Sequence, residues 1–221
     1  MQRQSPTLSQ HLWRLLFPPR CVACGQRGEL LCPSCLASVQ LRHLVPAGSL
    51  HDLHPLSGVR SAAEFAGPMR QAVHHFKYGG LRALAPTLGQ MLADNWSEDP
   101  YPADLIVPVP LHSSRLRQRG YNQSALLARE LGCRTGLPVS EQALTRKIAT
   151  PPQVGLNAHD RMLNVQGAFA CESKTVRGRA VVVIDDVMTT GATLRACAEE
   201  LLAAGASRVW GLTLAAEPAR R

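Results

Sequence analysis

The sequence predicts an α/β protein with a mostly parallel, doubly wound sheet and a small cysteine-rich module in front of it. Three observations carry this reading. Short apolar runs alternate with helix-patterned segments from residue 69 onward, four cysteines crowd into fifteen residues near the N-terminus, and the run Val181–Leu194 (VVVIDDVMTTGATL) passes from apolar residues through an acid pair and hydroxyls into a helix start. At 221 residues the chain has room for one good-sized domain and a small appendage. Lys and Arg number 24 against 16 Asp and Glu, and the formal charge of +8 suits polyanionic partners, although solubility alone can account for it. No apolar stretch approaches the roughly 20 residues that span a bilayer. His11, Arg14, Pro18 and Pro19 interrupt the N-terminal run, so neither a transmembrane segment nor a signal peptide is expected and a cytoplasmic location is.

The elements follow in order. Leu8, Leu12, Leu15 and Leu16 share one helical face, read as packing onto the rest of the protein. Cys21-x2-Cys24 and Cys32-x2-Cys35 then stand seven residues apart, each pair able to present two thiolates to one ion, with Gly25 and Gly28 easing the turn. The expectation is one tetrahedral zinc, favoured over two disulfides by a reducing cytoplasm and by a segment too small for its own core. Four sulfur ligands leave no open position, so the metal is structural. Cys133, Cys171 and Cys197 are scattered and read as small buried hydrophobes.

Residues 41–58, rich in His, Pro, Gly and Ser, read as a connector, which divides the chain into 1–58 (N-terminal helix, zinc module and connector) and 59–221 (the sheet domain). Helices are expected over Met69–Tyr78 and Leu84–Trp96, broken at Gly79-Gly80, with a loop at Asp99–Pro102. Leu105–Val109 reads as a strand and Asn122–Leu131 as a helix. Between them Arg115, Arg117 and Arg119 alternate, with His112 ahead and no acid from Val107 to Ser124. If extended, this segment sets three guanidinium groups on one side; if helical, it fans them across an arc. Either way it reads as an anion site at the ligand-bearing rim of the sheet. Thr145–Asn164 reads as irregular, and Val209–Leu214 as the last strand.

Ala180–Ile184 suits a central parallel strand, and a helix runs from Ala192 toward Gly205. Between them Thr189, Thr190 and Thr193 offer hydroxyls, Gly191 allows close backbone approach, and the first N–H groups of the helix, starting at Ala192, point at an anion. Asp185 and Asp186 lie just ahead, where carboxylates accept from vicinal hydroxyls and repel a second phosphate. The ligand so described is a ribose 5-phosphate.

This loop resembles the signature of type I phosphoribosyltransferases. Together with FKYGG at Phe76–Gly80, the VPVPLH and RLRQRGYNQ runs, and the spacing Thr150, Gln153, Leu156, Arg161, Asn164, Val165, Phe169, it resembles the ComF family, a four-cysteine zinc module joined to a type I phosphoribosyltransferase-like domain. Ile148 departs from the pattern, standing where relatives often carry a second Arg beside Arg146, which weakens or removes an anion contact there. The resemblance implies a bacterial cytoplasmic protein that handles incoming single-stranded DNA in natural transformation or DNA utilisation, with transformation-machinery proteins as further partners. It also implies phosphoribosyl pyrophosphate with Mg2+, its phosphate on Thr189–Thr193, its ribose on Asp185 and Asp186, and its pyrophosphate near Lys77, Arg115, Arg117 and Arg119. Two readings follow. In one, the cradle and cations serve DNA handling; in the other, the protein is an active phosphoribosyltransferase with an unidentified nucleobase-like acceptor. Neither names a catalytic residue, and turnover stays open. Tyr121 reads as packing rather than as a base-stacking ring.

Overall fold

The computed structural model describes residues 18–41, 53–149, 165, 167–171 and 173–218. The expected leucine face at residues 8–16 and the 150–164 part of the irregular segment lie outside them. In chain order the elements are α1 (Pro33–Ala37), β1 (Val59–Glu64), α2 (Gly67–Tyr78), a 3-10 turn at Arg82–Leu84, α3 (Ala85–Glu98), β2 (Leu105–Pro108), α4 (Ser113–Arg119), α5 (Gln123–Thr135), β3 (Leu144–Arg146), β4 (Phe169–Cys171), α6 (Ser173–Val176), β5 (Ala180–Met188), α7 (Ala192–Ala203) and β6 (Arg208–Ala216).

Four strands form one parallel sheet in the order β1-β6-β5-β2, and β3 pairs with β4 as a separate antiparallel ribbon. Apolar residues at successive positions of β5 feed both faces, as a buried parallel strand requires. Val182 and Ile184 join Phe76, Leu88, Leu92, Leu127 and Leu131 from α2, α3 and α5. Val181 and Val183 join Leu194, Cys197, Ala198 and Leu201 from α7 on the opposite side. The sheet is therefore covered on both faces, the doubly wound arrangement expected from the sequence.

The β3–β4 ribbon is absent from the sequence reading, which makes Thr145 and Arg146 irregular, and within the parallel sheet β1 and β5 differ from it. β1 lies just past the connector and carries no strand signal of its own, because VRSAAE lacks a clean alternation. β5 runs four residues past Ile184, because β6 continues beside it: Asp185 pairs with Thr213, Val187 with Ala215 and Met188 with Ala216. β2 stops at Pro108, opposite Ile184, since Pro108 and Pro110 have no N–H to extend a ladder. The last four residues of β5 thus lack a β2 neighbour, and this step in strand length opens the rim of the sheet.

The cysteine module is not a separate body. Cys21, Leu31, Cys32 and Val39 belong to the same apolar cluster as Phe76 and Leu92, and Leu41 bridges to Ala63 at the outer edge of β1. Among the scattered cysteines, Cys197 is buried as expected and Cys171 is half-buried, but Cys133 is exposed; it sits on the solvent side of α5, just past the buried Leu131 and Gly132.

Helices α3 and α5 approach closely at Gly89, where an added Cβ would sit 2.3 Å from Glu130 Cβ. Replacing a helical Gly by Ala ordinarily gains about 1 kcal/mol of propensity, whereas overpacking against a backbone-anchored Cβ costs about 1–3 kcal/mol. Gly89→Ala should therefore lower the thermal midpoint; a raised midpoint in a calorimetric scan would show that the helices separate without loss.

Candidate functional site

A cleft of about 1400 Å³ opens over the carboxyl ends of the strands, where open parallel sheets place their ligands. Its floor is the tail of β5 beyond the end of β2. Strand alternation sends Asp185 and Asp186 to opposite sides. Lys77, near the end of α2, meets Asp186 Oδ1 at 2.8 Å. The Asp186 side chain is 4% exposed, and its Oδ2 is buried with no hydrogen-bond partner. Asp185 Oδ1 accepts from Ser124 Oγ at 3.0 Å and from the Asp186 N–H at 2.9 Å.

The charges on this floor shift one another. Burial first, and then the neighbouring Asp186, push the Asp185 carboxyl up to about 7, against the opposing pull of Lys77 and the two hydrogen bonds. Burial works against the Lys77 ammonium, yet Asp186 outweighs it and holds the amine above its ordinary range. Arg146, half-buried at the cleft wall, is lowered by burial and by the nearby Arg115 guanidinium.

Beyond the acids, Thr189, Thr190, Gly191, Ala192 and Thr193 all line the cleft. Gly191 caps α7 at φ 77°, and a Cβ there would fall 2.2 Å from Leu53 Cδ2. The glycine is thus required by backbone conformation and by Leu53 packing, where the sequence suggests ligand approach instead. Thr190 Oγ1 accepts from the Ala192 N–H at 3.4 Å, so the hydroxyl sits at the helix entrance where an anion would compete for the same amide.

The arginine stretch is helical, and α4 sorts its three cations. Arg115 and Arg119, one turn apart, line the cleft, whereas Arg117 is exposed and is not part of the lining. Arg119 donates to Gln123 Oε1 and lies over the Tyr78 ring. Tyr121 is 6% exposed and donates to the Phe76 carbonyl, so it packs, as its place beside a glycine suggests. Ser124 escapes sequence reasoning, and Arg146 is reached only through the family pattern that places an anion contact beside it. Arg146 is a lone cation beside an irregular segment, and a serine's approach to a distant acid leaves no mark in the chain.

At the N-terminal module, the sulfurs of Cys21, Cys24, Cys32 and Cys35 all lie within 4.8 Å of one another, placed to hold a metal ion such as zinc. Cys24 Sγ and Cys32 Sγ stand 3.6 Å apart, far beyond the ~2.05 Å of a disulfide and close to the edge of a tetrahedron built on Zn–S bonds of about 2.3 Å. Burial opposes the Cys21 thiolate, but the N–H groups of Cys32, Cys24 and Ala23 outweigh it and bring the thiol down to about 6. Cys35 goes the other way, to about 12, through its hydrogen bond with Cys32, burial and the neighbouring sulfurs. Four thiolates coexist here only around a cation.

Residues 118–221 match the phosphoribosyl transferase domain family. With the parallel sheet and its rim cleft, this match makes the chain a phosphoribosyltransferase-fold protein. It is 33% identical over 200 residues to the DNA utilization protein YhgH of Escherichia coli strain K12, covering 87% of each chain. It is 38% identical over 116 residues to Competence protein F of Haemophilus influenzae, 51% of each chain, and 28% identical over 220 residues to Competence protein ComFC of Bacillus subtilis, 91% of this chain and 88% of that one. Among solved structures, the allosteric regulatory enzyme of purine biosynthesis matches at 23% identity and a TM-score of 0.42, over 60% of this chain and 26% of the other. The chain belongs to the ComF family. Among the described residues, no helix is long and apolar enough to cross a membrane.

The Asp185 shift fixes a pH dependence. Its folded pKa, about 7, lies above the ordinary 3.8, so between these values the folded protein keeps a proton that the unfolded chain has released. Stability is then lost as pH rises through that window. Asp185→Asn should gain on the parent as pH goes from 4 to 8, by about 1–3 kcal/mol; parallel melting curves across that range would show that Asp185 ionises as freely as in water.

Proposed function

We propose that this protein handles internalised single-stranded DNA in natural transformation or DNA utilisation, using a phosphoribosyltransferase-type cleft that also accepts a phosphoribosyl ligand. The observation that carries the reading is the coincidence of two things: a rim cleft lined by Lys77, Arg115, Arg119 and Arg146, and relatives over most of the chain that are named for DNA utilisation and competence. Repeated phosphates call for such cations along a groove. The division of labour follows the chain, with 1–58 as the zinc-bearing module and 59–221 as the cleft-bearing domain. A cluster of four thiols fits a reducing cytoplasm.

The phosphoribosyl ligand would set its 5-phosphate on Thr189–Thr193 and its ribose hydroxyls on Asp185 and Asp186. The buried, unpartnered Asp186 Oδ2 supports this, being an acceptor already desolvated and in want of a donor. Magnesium, entering with phosphoribosyl pyrophosphate, would neutralise pyrophosphate charge beside Lys77, Arg115 and Arg119. The same orphan acceptor favours a second reading, an active phosphoribosyltransferase; release of pyrophosphate on adding a nucleobase would establish it.

Fluorescence anisotropy with a labelled single-stranded oligonucleotide tests the first reading. The Arg115→Gln/Arg119→Gln double variant should bind more weakly, and its slope of log K against log salt should be shallower by roughly 0.7 for each phosphate no longer neutralised. Arg117→Gln, on the outward side of α4, should weaken binding less than the double variant does. Unchanged affinity and slope in the double variant would move DNA out of the cleft.

For the module, metal analysis of protein purified without chelator should give one zinc per chain, and Cys24→Ser should abolish it and lower the thermal midpoint of the whole protein. Metal-free protein with these cysteines disulfide-bonded in fresh lysate would refute the zinc assignment.

A further inference from the structure

One stripe of the cleft wall takes no part in the phosphate and ribose contacts. Arg70, His74 and Tyr78 stand at intervals of four on α2 and all line the cleft. Residues four apart share a helical face, about 6 Å from one to the next, so the stripe runs cation, imidazole, phenol along the wall. Lys77 turns down to Asp186 on the floor, while Tyr78 stays at the mouth, 65% exposed, the most exposed large hydrophobic side chain among the described residues. The ring is nevertheless held in place. His74 packs against it at 5.3 Å between centroids, and the Arg119 guanidinium lies over it at 5.2 Å. An aromatic ring braced by two neighbours, yet left open beside a cationic groove, has the make-up of a base-stacking platform, since every nucleobase has a π-face and the adjoining cations hold the phosphates. Of the other rings near this wall, Phe65 also lines the cleft but is partly buried against the main core, and Tyr121 is buried against Phe76.

We propose that Tyr78, braced by His74 and Arg119, stacks one unpaired base of single-stranded DNA at the mouth of the cleft, with Arg70 holding a flanking phosphate. This rests on the DNA-handling reading and adds to it the residue that engages the base rather than the backbone. A single platform in a chain with 5% aromatic residues sets a short footprint in place of an extended stacking tract.

Anisotropy with an oligothymidylate and with an abasic oligonucleotide of equal length, at fixed salt, tests it. Tyr78→Ala should weaken oligothymidylate binding roughly tenfold, the loss of one stacked base, leave the abasic affinity unchanged, and be rescued by Tyr78→Phe. Arg70→Gln should weaken both oligonucleotides alike. Equal affinity of Tyr78→Ala and parent for oligothymidylate, or an equal loss on the abasic strand, would overturn the platform while leaving DNA binding in place. Parent protein that binds neither strand would overturn the DNA reading and the platform together. Because Tyr78 is exposed, the variant's melting curve should superimpose on the parent's, which separates weaker stacking from a damaged fold.

Discussion

The buried ion pair between Lys77 and Asp186 is the fastening on which the cleft depends. Taking two charges out of water is expensive, and removing either partner strands the other in a place that cannot solvate it. The pair is formed by the end of α2 and the tail of β5, elements more than a hundred residues apart in sequence, so it clamps the helix across the open rim. The hydroxyl of Tyr121 grips the same turn from the other side through the Phe76 carbonyl. Two bonds on adjacent residues fix where α2 ends, and with it the wall that carries Tyr78, His74 and Arg70.

The fold class is legible because a buried parallel strand and an amphipathic helix have different periods, and β5, α7 and α3 show theirs plainly. What escapes is decided by tertiary partners. In β1, Arg60 and Ser61 look wrong for a buried strand, yet Arg60 lies over the Tyr101 ring and pairs with Asp99, and Ser61 shares a hydrogen bond with Thr213 on β6. Those partners come from other elements, so no local pattern announces them. The same holds for the length of β5. An acid pair reads as the end of a strand, but β6 offers a full edge to Met188 and the ladder continues through both aspartates.

The site divides along the same line. Candidate groups packed into one contiguous stretch, the four cysteines and the Asp-Asp to Thr193 loop, come together in the fold as their spacing leads one to expect, because that spacing is local. The arginines can be read as a group but not sorted, since helix or extended chain decides which of them face inward. Ser124 reaches Asp185 only because the start of α5 is brought beside β5, and Arg146 reaches the cleft wall because the β3–β4 ribbon packs against α7. The role of Gly191 is legible as a need for glycine and illegible in part of its cause, which is a left-handed backbone together with Leu53, a connector residue, occupying the space a Cβ would take.

The merging of the cysteine module with the main core gives the protein a sensitivity to its surroundings. Cys21 and Cys32 share an apolar cluster with Phe76, the residue before Lys77. A metal bound by these clustered thiolates would bind the folded chain more tightly than the unfolded one, so occupancy would add to stability by mass action. Through the shared cluster that increment extends to the helix that walls the cleft. Were the four cysteines to hold zinc as proposed, the supply of free metal would become a thermodynamic input to the stability of that wall, some distance from the ion and without any change in the residues of the cleft.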